Sequence, residues 1–148
     1  MKTTWIVAAD ASRARILQVM DRDERLAEVE EFANPEGRAH DRDLLADGHA
    51  RFHGTSGPGS DREEPKATEH ATELFAKRVS DYLDKARNDH RYDRLHVVAP
   101  PKFLGQLRKE LGKEVQKLVT EELPKDLSWL SSRELEAKLL GKGNGRAP

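Results

Sequence analysis

Histidines and acids gather in one polar stretch of this chain, and these residue types bind divalent metals. Two of the histidines, His49 and His53, would meet one metal ion if both lay on one face of a helix. Gly48 and Gly54 flank the pair and disfavour a helix, and no glutamate lies between the histidines as a zinc protease requires. His49 and His53 are therefore weak metal candidates, and a solvated polar loop is the favoured interpretation. The surrounding histidines and acids are His40, Asp41, Asp43, Asp47 and His70.

Asp10 is a second candidate for chemistry because it follows the first apolar run of the chain. Two-metal phosphodiester cleavage needs several carboxylates that converge on ions about 4 Å apart. A later apolar run ends in Pro100, Pro101 and Lys102 and delivers no second acid. A metal-dependent hydrolase or nuclease that uses Asp10, or the His and Asp residues of the polar stretch, stays an alternative. The favoured prediction has no catalytic residue, no metal and no cofactor.

A surface at the strand ends is the better candidate for function. Ligands of open α/β sheets bind beyond the carboxyl ends of the parallel strands. Lys102 begins a predicted helix, where free backbone N–H groups favour an anion such as a phosphate. We therefore expect a binding surface at this edge of the sheet. Its predicted members are Asp10, Arg13, Lys102, Lys125 and Asp126.

The elements that must position these residues begin with three strands. Residues 3–9 form an apolar run typical of a strand buried on both faces. Residues 13–20 and 26–32 alternate in hydrophobicity, with polar turns at 10–12 and 21–24. Short turns between successive strands predict a β-meander. The apolar pattern then lapses until Pro65, which predicts a long polar loop over 34–64.

Helices and strands alternate in the second half of the chain. Pro65 suits the first position of a helix, and an apolar stripe continues to Asn88. A strand over 92–99, a helical stripe over 103–118, a strand over 119–123 and a helix near 131–140 follow. Strands separated by helices are parallel as a rule. The sequence predicts one α/β domain over 1–140, a mixed sheet of about five strands with flanking helices in a ribonuclease-H-like arrangement, and a disordered tail over 141–148.

Composition narrows the class of protein. The chain has 26 basic and 27 acidic residues, a net charge of −1, and so lacks the positive excess of a general nucleic-acid coat protein. The lack of cysteine excludes disulfides, thiol catalysis and zinc ribbons. The first apolar run is too short for a signal-peptide core or a membrane span. We therefore expect a soluble cytoplasmic protein with neither a membrane partner nor DNA.

Five stretches of the chain resemble the bacterial host-attachment protein family, named for a requirement in attachment to host cells. The stretches follow the family in unbroken order, the resemblance runs from about Thr4 to Leu140, and VVAPPKFLGQLR and LPKDL are its most specific parts. By this resemblance the chain is identified as a member of the family. The stretches are WIVAADASRARIL, FANPEGRAHDRDLLAD, EHATELFAKRVSDYL, RYDRLHVVAPPKFLGQLR and ELPKDLSWLSSREL.

The resemblance implies a fold similar to the middle domain of archaeal and eukaryotic peptide-release factors, which is ribonuclease-H-like. In those factors a loop before the long helix carries a Gly-Gly-Gln tripeptide that enters the ribosomal peptidyl-transferase centre. The loop of this chain takes the same place, but all three glutamines, Gln18, Gln106 and Gln116, lie outside it. Release-type hydrolysis is therefore not supported.

The resulting prediction is a non-catalytic binding or regulatory protein whose most concrete partner is the ribosome or RNA. The polar stretch becomes a recognition loop, and host attachment depends on the protein indirectly, through translation or regulation. A structural role through exposed sheet edges is a further alternative, and the sequence leaves the oligomeric state open. The candidate recognition residues are His49, Arg51, His53, Gly57 and Gly59.

Overall fold

A computed structural model describes residues 2–20, 22, 25–37 and 58–141, with side chains from residue 68 onward in the last range. A meander of three antiparallel strands opens the fold: β1 (Thr4–Ala9), β2 (Arg13–Met20) and β3 (Arg25–Ala33). Ala9 pairs with Ala14, and Ala14 pairs in turn with Phe32. The strands and turns lie within two residues of the positions predicted from hydrophobic alternation, so the predicted meander is confirmed.

Two further strands complete one mixed sheet. β4 (Arg94–Val98) pairs in parallel with β1, and β5 (Val119–Leu123) pairs in parallel with β4. The strand order is β3-β2-β1-β4-β5. Because β1, β4 and β5 are parallel, their carboxyl ends lie at one edge of the sheet. That edge receives Asp10, the start of the helix after β4, and the connection after β5.

The helices that flank the sheet in the described part of the chain are α1 (Pro58–Asn88), α2 (Pro101–Glu110), α3 (Lys113–Leu118) and α4 (Ser132–Leu139). The single stripe predicted over 103–118 is divided because Leu111 and Gly112 take extended backbone angles between α2 and α3. Ser131 caps α4 and forms a capping box with Glu134. In the described part of the chain, no helix is both long enough and apolar enough to cross a bilayer.

The predicted start of the long helix at Pro65 is wrong, and so is the loop prediction over 58–64. Helix α1 already begins at Pro58. Pro58 has the same restricted φ angle that makes proline favourable at the first helical position.

Each face of the sheet packs against helices. The residues of β1 alternate between two clusters: Trp5, Val7 and Ala9 face one way, and Ile6 and Ala8 the other. The larger cluster is closed by α1, through residues such as Phe75 and Leu83, and by α2, through Phe103 and Leu107. The smaller one is closed by Leu135 of α4. Strand β1 is therefore the central, doubly buried strand from which Asp10 emerges.

Candidate functional site

The turn after β1 is organised by the Asp10 side chain. Its Oδ1 atom accepts hydrogen bonds from the backbone N–H of Ser12 (2.8 Å), the Ser12 hydroxyl (2.9 Å) and the backbone N–H of Arg13 (2.9 Å). The backbone N–H of Asp10 donates to the Arg13 carbonyl at 2.9 Å and closes the turn. Aspartate favours this position because its short side chain bonds the backbone two or three residues on. One carboxylate oxygen therefore shapes the connection to β2.

The second oxygen of Asp10 holds a distant part of the chain. Oδ2 accepts hydrogen bonds from the Ser128 hydroxyl at 3.0 Å and from the indole Nε1–H of Trp129 at 2.7 Å. Asp10 is 4% exposed, so these five donors surround a carboxylate largely removed from water. Hydrogen bonds to an ionised group are stronger than neutral ones and compensate for the burial of the charge. Asp10 thus joins the end of β1 to the segment between β5 and α4.

Asp126 is the second carboxylate in this region. Its Oδ1 atom lies 3.2 Å from the Ser128 hydroxyl, which also bonds Asp10. The hydroxyl has one proton, so it donates to only one of the two carboxylates at a time. Partial burial, and next the negative charge of Asp10, raise the pKa of Asp126 above its ordinary value. Both effects outweigh the opposing hydrogen bonds from Ser128 and make the ionised form of Asp126 less favourable in the folded protein than in the unfolded chain.

Arg15 also holds the segment between β5 and α4 in place. This buried side chain donates from one terminal nitrogen to the carbonyl oxygens of Ser128 (3.1 Å) and Leu130. Its other terminal nitrogen lies 2.5 Å from Glu28 on β3. The two carbonyls are those immediately before and after Trp129. A buried guanidinium with several directed hydrogen bonds is therefore clamping the backbone on both sides of that residue.

Trp129 stands at the surface of this arrangement. It is 52% exposed, although its indole N–H is bonded to Asp10. The guanidinium carbon of Arg13 lies 4.6 Å from the centre of the Trp129 ring, within the range of a cation–π contact. Arg13 also forms an ion pair with Glu31 at 2.7 Å. We use the name Asp10 cluster for Asp10, Arg13, Arg15, Asp126, Ser128 and Trp129.

The chain after β3 closes over the same turn. The Asn34 side chain donates to the Ala11 carbonyl at 2.9 Å, and the Asn34 backbone N–H donates to the Ser12 carbonyl at the same distance. A Cβ atom placed on Gly37 would lie 1.9 Å from the Ala11 carbonyl oxygen. Only glycine allows this approach. The Asn-Pro-Glu-Gly sequence of residues 34–37 therefore packs closely against the Asp10 turn and is hydrogen-bonded to it.

The structure brings three of the five predicted surface residues into one bonded cluster: Asp10, Arg13 and Asp126. Lys102 and Lys125 lie at the same edge, at the start of α2 and just after β5, and both are exposed. Within the described residues, neither lysine side chain has a hydrogen bond or ion pair. Arg15, Ser128 and Trp129 are members that the sequence reasoning missed.

The predicted recognition loop falls mostly outside the described residues. His49, Arg51, His53 and Gly57 lie there, so the weak metal candidates His49 and His53 stay a prediction. Gly59 lies in the first turn of α1, since the helix begins at Pro58. Among the residues that the structure describes, no group of three or more His, Cys, Asp or Glu side chains is arranged to hold a metal ion.

The fold is that of an α/β protein, with helices on both faces of a five-stranded mixed sheet. A polar surface lies at the carboxyl ends of the parallel strands, where Asp10 is held by hydrogen bonds. A family model described as "protein required for attachment to host cells" matches residues 5–139. The chain therefore belongs to the host-attachment family. An uncharacterized protein of Rickettsia prowazekii (strain Madrid E) is 41% identical over 54 residues, which cover 35% of this chain and 36% of that protein. The match thus spans little more than a third of the length of this relative.

Proposed function

We propose that this chain is a non-catalytic binding or regulatory protein of the cytoplasm that associates with the ribosome by contacting RNA. The observation that supports a binding role most directly is the state of Asp10. The acid at the end of the central strand is the natural position for catalysis in such a sheet, and here both of its oxygens are taken up by structural hydrogen bonds.

The chemistry of Asp10 argues for this choice over hydrolysis. A metal ligand or general base must turn an oxygen lone pair toward an ion, a water or a substrate. Asp10 is buried and accepts five hydrogen bonds, two of them from the segment that covers it. Asp126 alone does not make a two-metal centre. The carboxylates of this edge therefore act as structural groups.

The cations at the same edge supply the contacts to an anionic partner. Lys102 lies in the first turn of α2, which contains no acidic residue, and Pro100 provides no side-chain cap for its backbone N–H groups. Lys125 lies beyond β5 on the same edge. Ammonium groups and uncapped N–H groups are suited to phosphate oxygens. The ribosome enters the proposal through the resemblance to release-factor middle domains, whose partner it is.

Co-sedimentation with ribosomes tests the proposal. The test variant combines Lys102→Glu and Lys125→Glu. The control variant combines Lys2→Glu and Lys85→Glu, which make the same charge change at the amino edge of the parallel strands. We expect the first pair to lose sedimentation with ribosomes and the second pair to keep it. Equal behaviour of the two pairs, or no sedimentation of the wild type at moderate salt, would overturn the proposal.

A ribosome-linked protein would influence host attachment indirectly, by changing which proteins the cell makes. Protease treatment of intact cells should then leave this chain uncut, while a control surface protein is degraded. Cleavage of the chain without lysis would place it outside the cytoplasm and contradict this part of the proposal.

A further inference from the structure

We propose that the protonation state of Asp126 controls how firmly the segment between β5 and α4 is bound to the end of β1. The Ser128 hydroxyl lies between Asp126 and Asp10 and connects the two carboxyl groups. With a proton on Asp126 the connection is complete, and the segment is closed. With Asp126 ionised the connection is weaker, and the segment opens more often. This inference concerns the domain itself and does not depend on the proposed function.

The first argument is the position of the Ser128 hydroxyl. Its oxygen lies 3.0 Å from Oδ2 of Asp10 and 3.2 Å from Oδ1 of Asp126, and Ser128 has no exposed surface. A hydroxyl donates one proton and accepts through two lone pairs. If both carboxyl groups are ionised, one of the two contacts therefore has no proton. If Asp126 is protonated, its O–H donates to Ser128, and Ser128 donates to Asp10, so both contacts are hydrogen bonds.

The second argument identifies Asp126 as the carboxyl group that takes the proton. Asp10 is buried and its two oxygens accept five hydrogen bonds, so a proton on either oxygen would displace a donor. Asp126 lies at the surface, where solvent reaches it. Its partial burial and the charge of Asp10 raise its pKa, against the opposing hydrogen bonds from Ser128. A proton from solvent therefore binds Asp126.

The third argument concerns the other charges of this edge. Arg15 is bonded to Glu28 and to two backbone carbonyls, and Arg13 is paired with Glu31, so both arginines have acceptors other than Asp126. The negative charge of Asp10 acts on Asp126 and raises its pKa. The charged groups on the surrounding elements are Asp10 after β1, Arg13 and Arg15 on β2, Glu28 and Glu31 on β3, Lys102 on α2, Lys125 beside Asp126, and Arg133 and Glu134 on α4.

The proton on Asp126 is coupled to the closed form of the segment. Trp129 donates to the same oxygen of Asp10 as Ser128 does, at 2.7 Å, so release of the segment breaks both contacts. Release also separates Asp126 from Asp10 and returns its pKa toward the ordinary value. The closed form binds this proton more tightly, so it is most favoured at low pH. That preference is lost as pH rises from the ordinary pKa of an aspartate through the raised pKa of Asp126.

The test uses nuclear magnetic resonance of the full chain at stepped pH. The carboxyl carbon of Asp126 gives its titration midpoint. Hydrogen exchange of the Leu130 backbone N–H, which donates to the Leu127 carbonyl at 3.1 Å, gives the opening constant of the segment after correction for the intrinsic exchange rate. This constant should rise across the midpoint, tenfold for each unit by which the midpoint exceeds the ordinary value. The Trp5 indole N–H, bonded to Gln18, is the internal reference and should show no such rise.

Two variants assign the effect to the proposed groups. Asp126→Asn keeps the shape of the side chain and donates from its amide to Ser128 at every pH, so the opening constant should stay at its low-pH value. Ser128→Ala removes the hydroxyl and leaves only the repulsion between the two carboxylates, so the rise should be smaller than in the wild type. Asp81→Asn, an exposed change on α1, should match the wild type. Circular dichroism at each pH confirms that the variants are folded.

Three results would overturn the inference. The first is an opening constant of the wild type that does not change across the midpoint of Asp126. The second is an equal rise in the wild type and in Asp126→Asn, because another group would then be responsible. The third is an equal rise in the wild type and in Ser128→Ala, which would show that the hydroxyl does not connect the two carboxyl groups. The wild-type titration and Ser128→Ala decide the matter even if Asp126→Asn does not fold.

Discussion

Replacing Asp10 separates its two structural tasks, because the two oxygens serve different parts of the chain. Asp10→Ala removes the acceptor of all five donors. The Ser12 backbone N–H and hydroxyl are buried and lose their partner, at about 1–3 kcal/mol for each unsatisfied group. The Ser128 hydroxyl can turn to Asp126, and the Trp129 indole can reach water. We therefore expect the free energy of unfolding to fall by about 2–5 kcal/mol.

Asp10→Asn should lower the free energy of unfolding by less than Asp10→Ala does, because it disrupts only the contact with Trp129. The Asn side-chain oxygen, in the place of Oδ1, still accepts from Ser12 and Arg13. Its amide nitrogen replaces Oδ2 and can donate to the Ser128 hydroxyl, which then donates to Asp126. The Trp129 N–H now faces another N–H and must move away. One lost hydrogen bond to a charged group corresponds to about 1.5–3 kcal/mol, part of which water returns to a half-exposed indole.

The assay combines urea unfolding with nuclear magnetic resonance of the two indole N–H groups. The chain has two tryptophans, and the Trp5 indole donates to Gln18 at 2.9 Å, away from the Asp10 cluster, as an internal reference. In Asp10→Asn the Trp129 signal should shift and exchange with solvent faster, while the Trp5 signal stays in place. Asp81→Asn, an exposed replacement on α1, should change stability by less than about 0.5 kcal/mol. Equal losses in the Ala and Asn variants, or equal shifts of both indoles, would refute the reasoning.

Three further predictions concern the groups around this turn. Gly37→Ala should lower the free energy of unfolding by about 1–3 kcal/mol or more, because the added methyl meets the Ala11 carbonyl oxygen at 1.9 Å. Gly105→Ala, which has open space around it inside α2, should raise the free energy of unfolding by up to about 1 kcal/mol. Urea titrations that rank the two variants the other way would contradict the close packing of residues 34–37 on the Asp10 turn. The pKa of Asp126 is raised, so the folded protein binds this proton more tightly than the unfolded chain, and the group's effect on folding becomes less favourable as pH rises from its unfolded value of about 3.9. Asp126→Asn should therefore gain stability relative to the wild type between pH 4 and pH 7 in thermal unfolding at stepped pH, and a difference independent of pH would disprove the assigned cause. Arg15→Met leaves the carbonyls of Ser128 and Leu130 without this donor, so it should cost about 1–3 kcal/mol for each by urea unfolding, whereas the half-exposed Glu28 keeps the Ser132 hydroxyl. A loss below about 1 kcal/mol would show that these two hydrogen bonds are not needed.

Local patterns were sufficient to predict the sheet and most of the helices. The alternation in β2 and the unbroken apolar run of β1 set which side chains face each layer, and both strands lie where that periodicity places them. The start of α1 was misplaced because Pro58 and Pro65 satisfy the same first-position rule. Asp61, Glu63 and Glu64 lie between the two prolines, so they fit either within a helix that begins at Pro58 or just before one that begins at Pro65.

Only part of the Asp10 cluster could be predicted from the sequence, because its contacts join residues that are far apart along the chain. The position of Asp10 at a strand end follows from the sequence, and with it the expectation of a polar edge. Its contact with Trp129 joins residues 119 positions apart, and no local period encodes such a pair. Arg15 was hidden for the same reason, since its partners Ser128 and Leu130 lie more than a hundred residues away. The one available signal was the position of Arg15 between two apolar residues of β2, Ala14 and Ile16.

The clamp between Arg15, Asp10 and the segment before α4 makes the carboxyl-terminal part of the domain a single opening unit. Helix α4 contributes Leu135 to the smaller core cluster, and Trp129 lies only three residues before the start of the helix at Ser132. Partial unfolding that releases α4 must therefore also release the hydrogen bonds around Trp129, as one cooperative step. A ligand that binds the closed form of Trp129 would slow amide exchange throughout α4 by the factor 1 + [L]/Kd. A ligand bound at Trp129 would thus lower the amide exchange rates of α4, a helix that the ligand does not touch.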